Sequence, residues 1–406
     1  MEVKKDPEII ERILEKGVEQ ILPSKEALKN LLESGKRIKI YQGFDPTADT
    51  LHIGHTVGMR KLEDFRKLGH HVIFLIGDFT ARIGDPSDKT SARQMLTKEQ
   101  VEENMKLYKE QASKIIDIDN KENPVEVLYN SEWLEKLNFG DIIRLASQFT
   151  VQQMIKRDMF KKRLEINKPI YISEFMYPIM QGYDCVVMDV DVEVGGNDQL
   201  FNMLAGRDLI MSELNKEKIV IAGKLLATSD GTKMGKSEGN MIKMNDTPEE
   251  IFGKVMAFTD SMIISGFEIL TNSTMQEVDE YKQRLESGEN PMVLKKELAH
   301  MITSEITNKE EADKAQEYFE SVFQNKDQDV EIPEKSVDKE EIPLNELLVS
   351  IEFANSKSEA KRLVEQGAVK INDEKASQFN QILNIKNSQP LMIRAGRKLC
   401  SVTHRS

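Results

Sequence analysis

The chain has 406 residues and a formal net charge of −13, from 56 basic and 69 acidic side chains, which excludes a surface that adheres to nucleic acid everywhere and confines any RNA contact to a local patch. That length suffices for two or three domains, and neither an apolar run of membrane length nor a charged-then-apolar leader is visible, so a cytoplasmic location and no membrane partner are expected. Cys185 and Cys400 are too few and too far apart for a disulfide framework or a zinc site, and no protein-bound metal is expected.

In chain order, Ile38-Lys39-Ile40-Tyr41 alternates like a strand, and Gly43 lets the backbone turn tightly at its carboxyl end. A loop broken by Gly and Pro then leads to His52 and His55, after which Met59, Leu62, Phe65 and Leu68 recur near helical spacing. A helix beginning around Gly54 turns its unpaired backbone N–H groups toward whatever the two imidazoles touch, which suits a nucleoside triphosphate. Two surface histidines capping a helix would account for the same letters. Further on, Asp85-Pro86-Ser87 reads by itself as a turn.

Tyr177, Gln181 and Asp184 fall at i, i+4 and i+7, on one face of a segment otherwise made apolar by Phe175, Met176, Ile179, Met180 and Val186. Such a stripe implies a polar ligand; an amphipathic surface helix is the alternative. The strand-like Val190 to Val194 runs into Gly195-Gly196-Asn197-Asp198-Gln199, where glycines permit close backbone approach and Asp198 can accept from both hydroxyls of a ribose. A β-turn is compatible with the same residues. After the strand-like Ile219 to Ala222 comes a glycine-containing stretch with Lys233-Met234-Gly235-Lys236-Ser237, whose ammonium groups suit the charge that builds on a departing pyrophosphate. It is not a Walker A loop, because Asp230 stands where that motif needs glycine and Gly231 is one place too close to Gly235. A solvated basic turn is the other reading.

Helical signals follow. Thr247-Pro248-Glu249-Glu250 is a helix start, and Pro291 precedes an apolar stripe of Val293, Leu294, Leu298 and Ile302. Residues 325–343, rich in charge and proline, are expected to be a linker. Beyond it, Leu344, Leu347, Leu348 and Ile351 precede a basic helix-turn-strand pattern from Ser358 through Gly367 to Asn372. From Asn355 onward ten basic residues face four acidic ones, a local balance of +6.

His52-Ile53-Gly54-His55 and Lys233-Met234-Gly235-Lys236-Ser237, in that order and that far apart, resemble the HIGH and KMSKS motifs of class I aminoacyl-tRNA synthetases. The segment Tyr177 to Asp184 closely resembles tyrosyl-tRNA synthetases, and the basic tail resembles the S4 RNA-binding domain. The resemblance implies an activity: L-tyrosine and ATP give tyrosyl-adenylate and pyrophosphate, and tyrosyl then passes to the terminal adenosine of tRNA-Tyr. ATP is the co-substrate, with Mg2+ accompanying it, and a homodimer is implied.

It also implies residue roles. Tyr41 and Asp184 would bind the substrate phenol, while Asp85, Tyr177 and Gln181 hold its ammonium and Gln199 lies near its carboxylate. Gly196 and Asp198 would take the ribose, and Gly43, Asp45, Thr47, His52 and His55 would complete the nucleotide contacts, with Thr47 and His52 donating to the terminal phosphate. Lys89, Arg93, Lys233, Lys236 and Ser237 would serve the phosphates. Phenylalanine would be rejected by leaving buried polar groups unpaired rather than by size, an effect of which tyrosyl-tRNA synthetases are themselves the standard illustration.

Three departures stand out: Gln42 and Gly58 replace a ribose-contacting cysteine and threonine of some members, and Gly235 replaces the central serine of KMSKS, which loosens the loop while keeping its lysines. The expected fold is α/β: a Rossmann-like catalytic domain over 1–240, an all-α domain over 241–324, the linker, and a small α+β S4-like domain over 344–406. Tryptophanyl-tRNA synthetases share the architecture but not the pairing of Tyr41 and Asp184 with a basic tail. A metabolite nucleotidyltransferase would have no use for that tail, and an RNA regulator built on a dead synthetase body would have no use for intact lysines and histidines.

Overall fold

A computed structural model describes residues 2–87, 95–227, 241–323, 334–372, 374–376, 378–385, 390–395 and 398–404. The chain divides into two units, Met1–Gln316 and Glu317–Ser406. The first is built on six strands: β1 (Val18–Leu22), β2 (Lys39–Phe44), β3 (His71–Ile76), β4 (Glu126–Tyr129), β5 (Val192–Gly196) and β6 (Ile219–Gly223). Their order is β1-β6-β5-β2-β3-β4, all parallel except β1, which runs antiparallel to β6. β6 is buried along its whole length and β3 along all but its first residue, as strands covered by helices on both faces must be.

From β2 the chain builds outward through β3 to β4, then returns to lay β5 on the other side of β2. The strand order therefore reverses between β2 and β5, and the crevice beyond their carboxyl ends is where doubly wound sheets hold ligands. Register brings the ends together, with Phe44 beside Ile76 and Gly196 beside Gly223.

The helix expected after the histidines is Ile53–Lys67, with His52 as its N-cap. It buries Lys61 and Asp64 as well as Met59, Leu62 and Phe65, because later helices cover a second face. Arg60 donates to the Leu270 carbonyl and to Asn272 Oδ1, both at 2.7 Å, and Lys16 Nζ donates to the Thr271 carbonyl at 2.7 Å. Those later helices begin where the sequence indicates: Thr247 and Glu250 form a reciprocal capping box on Pro248–Met256, and Pro291–Ile306 buries Leu294, Leu298 and Ile302. Tied down in this way, residues 248–316 belong to the same unit as the sheet.

The second unit holds a five-stranded sheet and a two-stranded one. Strands β7 (Glu334–Val337), β9 (Val369–Ile371), β10 (Glu374–Lys375), β12 (Leu391–Ala395) and β13 (Lys398–His404) pair in the order β10-β9-β12-β13-β7, while β8 (Glu341–Pro343) pairs with β11 (Ile382–Asn384). Helices Leu344–Ser350 and Lys357–Glu365 share their core through Leu344, Leu347, Leu348, Ala360 and Val364. The linker expected over 325–343 is thus corrected for its second half, since residues 334–343 supply β7 and β8. Val337 and Ile342, few as they are, are buried, and one inward residue suffices for a strand of three or four.

Candidate active site

A cavity of about 650 Å³ opens at the carboxyl ends of β2 and β5. It is lined by Tyr41, Gly43, Asp45, Thr47, His52, His55, Asp85, Tyr177, Gln181, Asp184, Gly196, Asp198 and Gln199, so residues spread over some 160 positions of sequence meet at one place. Helix Ile172–Met188 delivers Tyr177, Gln181 and Asp184 from one face, as their spacing requires.

At the inner end, Asp184 accepts from the indole N–H of Trp133, the only tryptophan of the chain, at 2.7 Å and from Asn130 Nδ2 at 3.1 Å. Burial nevertheless pushes the Asp184 carboxyl well above the usual carboxylate range, against the pull of those donors. The Tyr41 and Tyr177 hydroxyls are raised for the same reason, with neighbouring carboxylates adding to it. Tyr177 donates to Asp45 Oδ2 at 2.8 Å, and Thr80 donates to Asp45 Oδ1 at 2.7 Å. Asp85 accepts from Gln199 Nε2 at 2.6 Å and from its own Ser87 hydroxyl at 2.8 Å; Ser87 in turn accepts from Arg157 Nη2 at 2.6 Å.

At the outer end the His52 and His55 rings stack with centroids 3.7 Å apart. His52 Nδ1 accepts from the Gly54 N–H and His55 Nδ1 from the His52 N–H. Each ring therefore carries its proton on Nε2, a tautomer assigned from its partner. Gly196 is bare because the Asp198 carboxylate folds over it: a Cβ there would lie 2.5 Å from Asp198 Oδ1. Gln42 fills the space that Gly58 leaves, since a Cβ on Gly58 would lie 1.9 Å from Gln42 Oε1.

Lys89, Arg93, Lys233, Lys236 and Ser237 lie outside the described residues. The flanks of their segments are described. Ser87 lines the cavity, as do Leu225, Leu226, Met241 and Ile242 on either side of 228–240. The Ile53 N–H donates to the Ile242 carbonyl and the Met244 N–H to the Leu51 carbonyl, both at 2.9 Å, so the chain leaving the lysine segment is stitched to the histidine motif. Among the described residues, five carboxylates and a single lysine, Lys224, line the cavity. That charge attracts an ammonium and repels a triphosphate, so phosphate binding must draw its cations from elsewhere. Among the described residues no group of three or more His, Cys, Asp or Glu side chains is placed to hold a metal ion, and no helix is long and apolar enough to cross a membrane.

The sequence reading did not single out Glu193, Lys218, Asn130 or Trp133. Glu193 carried a signal, being a carboxylate on a strand otherwise buried by valines. Lys218 is the lysine just before the wholly apolar Ile219-Val220-Ile221.

A nucleotide-type crevice with paired histidines at a helix start finds its counterpart in the family model for class I tRNA synthetases of tryptophan and tyrosine, which matches residues 33–324; the first unit is a class I aminoacyl-tRNA synthetase body. A second model, described as the Tyrosine--tRNA ligase SYY-like C-terminal domain, matches residues 324–401. The chain belongs to the tyrosine–tRNA ligase family. It is 43% identical to a tyrosine–tRNA ligase of Carboxydothermus hydrogenoformans over 98% of this chain and 97% of that one. It is 44% identical to that of Thermotoga maritima over 91% of each. Among solved structures, the fold is similar to a C-terminally truncated mitochondrial tyrosyl-tRNA synthetase of Aspergillus nidulans, with a TM-score of 0.65 and 21% identity over 78% of this chain and 95% of that one. It is also similar to the tyrosyl-tRNA synthetase of Archaeoglobus fulgidus complexed with L-tyrosine, with a TM-score of 0.60 and 21% identity over 76% and 99%.

Proposed function

We propose that this cavity activates L-tyrosine with ATP and then charges tRNA-Tyr. The tyrosine carboxylate attacks the α-phosphorus, the bond to the bridging oxygen breaks, and pyrophosphate leaves. A hydroxyl of the terminal adenosine of the tRNA then displaces AMP from the adenylate. Tyr41 and Asp184 take the phenol. Asp85, Tyr177 and Gln181 take the ammonium, and Gln199 lies by the carboxylate. Gly196 and Asp198 hold the ribose; Gly43, Asp45, Thr47, His52 and His55 meet the rest of the nucleotide. Lys89, Arg93, Lys233, Lys236 and Ser237 neutralise the phosphates, with Mg2+ entering as the counter-ion of ATP. No side chain acts as nucleophile; alignment and charge stabilisation supply the rate.

The observation that carries this reading is that every described residue of the set lines the same cavity, while five carboxylates and one lysine among the described lining residues leave a triphosphate in need of further cations. Tyrosine-dependent ATP–pyrophosphate exchange tests it. Exchange with tyrosine, and little with phenylalanine or tryptophan, is expected; exchange with tryptophan instead would reassign the pocket, and none at all would refute it. His52→Asn and Lys233→Ala are expected to cut the exchange rate roughly 10²- to 10³-fold, while tyrosine affinity by equilibrium dialysis moves about two-fold or less, because their contacts strengthen in the transition state.

The reading extends to a cytoplasmic homodimer with the C-terminal unit as an S4-like RNA-binding module. In support of the dimer, Phe139, Ile143, Val151, Leu164, Tyr171 and Ile172, from four consecutive helical segments, are each more than half exposed, an apolar surface of the kind a second copy covers.

A further inference from the structure

Behind Asp85 stands a chain of donors whose far end, Arg157, lies outside the cavity lining. Arg157 Nη2 donates to Ser87 Oγ at 2.6 Å, and the Ser87 hydroxyl donates to Asp85 Oδ1 at 2.8 Å. A guanidinium only donates, so Ser87 must accept from it, and the single hydroxyl proton is left for the carboxylate. Among the described residues the guanidinium reaches Asp85 only through that hydroxyl. Arg157 is itself buried, with its Cζ 4.8 Å from the Phe201 ring centroid and 5.7 Å from that of Phe160, and the two rings hold the guanidinium in place.

Donors divide unequally between the two Asp85 oxygens. Oδ1 accepts from the Ser87 N–H at 3.0 Å as well as from the hydroxyl, and Asn202 Nδ2 stands 3.4 Å away. Among the described residues Oδ2 accepts only from Gln199 Nε2, at 2.6 Å. Gln199 is fixed in turn, because its Oε1 accepts from Asn202 Nδ2 at 2.9 Å. A carboxylate oxygen has two lone pairs, so Oδ1 is saturated while Oδ2 keeps one to offer. The intervening hydroxyl has a purpose of its own. A guanidinium bonded directly to Asp85 would compete with a ligand cation for the same charge, whereas a hydroxyl fixes the rotation of the carboxylate and leaves its charge to be met.

We propose that Arg157 is a positioning residue for the amino group of the substrate: acting through Ser87, it locks the Asp85 carboxylate with Oδ2 open to an ammonium. The proposal rests on reading Asp85 as the ammonium site of a tyrosine pocket. Asp85 carries the charge of that site, and Arg157 sets its direction from a second segment of chain. Without Arg157 the Ser87 hydroxyl can rotate and Asp85 can turn, so selection for an amino group weakens while the contacts to the phenol stand.

Tyramine and 4-ethylphenol test this, since they differ only in the ammonium and neither has a carboxylate to activate. Each is titrated against labelled tyrosine in equilibrium dialysis with the full chain, and the ratio of their dissociation constants measures selection for the amino group. Arg157→Met is expected to narrow that ratio about ten-fold, with the constant for 4-ethylphenol within two-fold. In a Ser87→Ala background the same substitution should change the ratio no further, because the hydroxyl through which Arg157 acts is gone. A guanidinium that serves packing alone would weaken both ligands alike and leave the ratio standing. An unchanged ratio in Arg157→Met, or the same narrowing in both backgrounds, would overturn the proposal. Should Arg157→Met not fold, as thermal unfolding reports, Arg157→Gln, too short to reach the hydroxyl, takes its place. Wild-type protein run alongside separates the two failures: no preference for tyramine over 4-ethylphenol refutes Asp85 as the ammonium site, whereas a preference that Arg157→Met leaves intact refutes only the role of Arg157.

Discussion

His70, just before β3, is fully buried, and neither of its ring nitrogens meets a hydrogen-bond partner among the described residues. Burial, reinforced by the nearby Arg37 guanidinium and opposed by Asp191, lowers its pKa from 6.5 to about 4. The folded protein thus keeps the ring neutral where the unfolded chain protonates it. Its stability is complete above about pH 6.5 and declines as pH falls toward 4, by roughly 3 kcal/mol in all. Urea unfolding at pH 7.5 and pH 5.0 should show wild-type protein losing more stability between the two than His70→Leu does; equal losses would mean that the ring is already charged in the fold. The same economy of partners distinguishes the cavity. Asp184, with two N–H donors, is paired where His70 is not.

At the scale of elements, the helices Ile172–Met188 and Leu200–Leu214 decide where the polar stripe of Tyr177, Gln181 and Asp184 stands. They approach closely at Gly182, where a Cβ would lie 2.6 Å from Leu209 Cδ1 and 3.3 Å from the Ala205 carbonyl oxygen. Leu209 is wholly buried and cannot swing clear. Gly182→Ala should therefore cost about 1–3 kcal/mol and lower the thermal midpoint. It should also raise KM for tyrosine more than KM for ATP, because the displaced helix carries Tyr177, Gln181 and Asp184, the residues proposed to meet tyrosine; a lowered midpoint with both constants unchanged would show that the stripe is held from elsewhere. The stripe itself was legible, as were the histidine-capped helix and strands β2, β5 and β6, because each announces itself by local period or by a glycine at its end. What the sequence concealed was long-range: the antiparallel pairing of β1 with β6, the recruitment of 334–343 into sheets, and the reach of Lys218 to Glu193. Those depend on which strand lies beside which, and a single buried residue such as Ile342 leaves no period to read.

For the whole molecule the governing fact is charge. A chain of net −13 repels RNA at a distance, so a tRNA must be held by a surface whose sign is locally reversed. The second unit offers one: helix Lys357–Glu365 begins under its Ser356 cap and ends at Gly367, whose φ of +67° turns the chain into β9. Lys361 and Arg362 are exposed on that helix, Lys361 lying over the Phe379 ring at 4.9 Å and 3.7 Å from Glu365 Oε1. If these two cations each neutralise a phosphate, changing both to glutamine in the full chain removes roughly one to two counterions from the release on binding. The slope of log affinity for tRNA-Tyr against log salt should then flatten by about that number. Tyrosine-dependent ATP–pyrophosphate exchange should be unaffected, because that step needs no RNA. Filter binding across a salt series, set beside the exchange rate, separates the possibilities: an unchanged slope would move the RNA surface off this helix, and a fall in exchange would mean that the two units are coupled even before tRNA arrives.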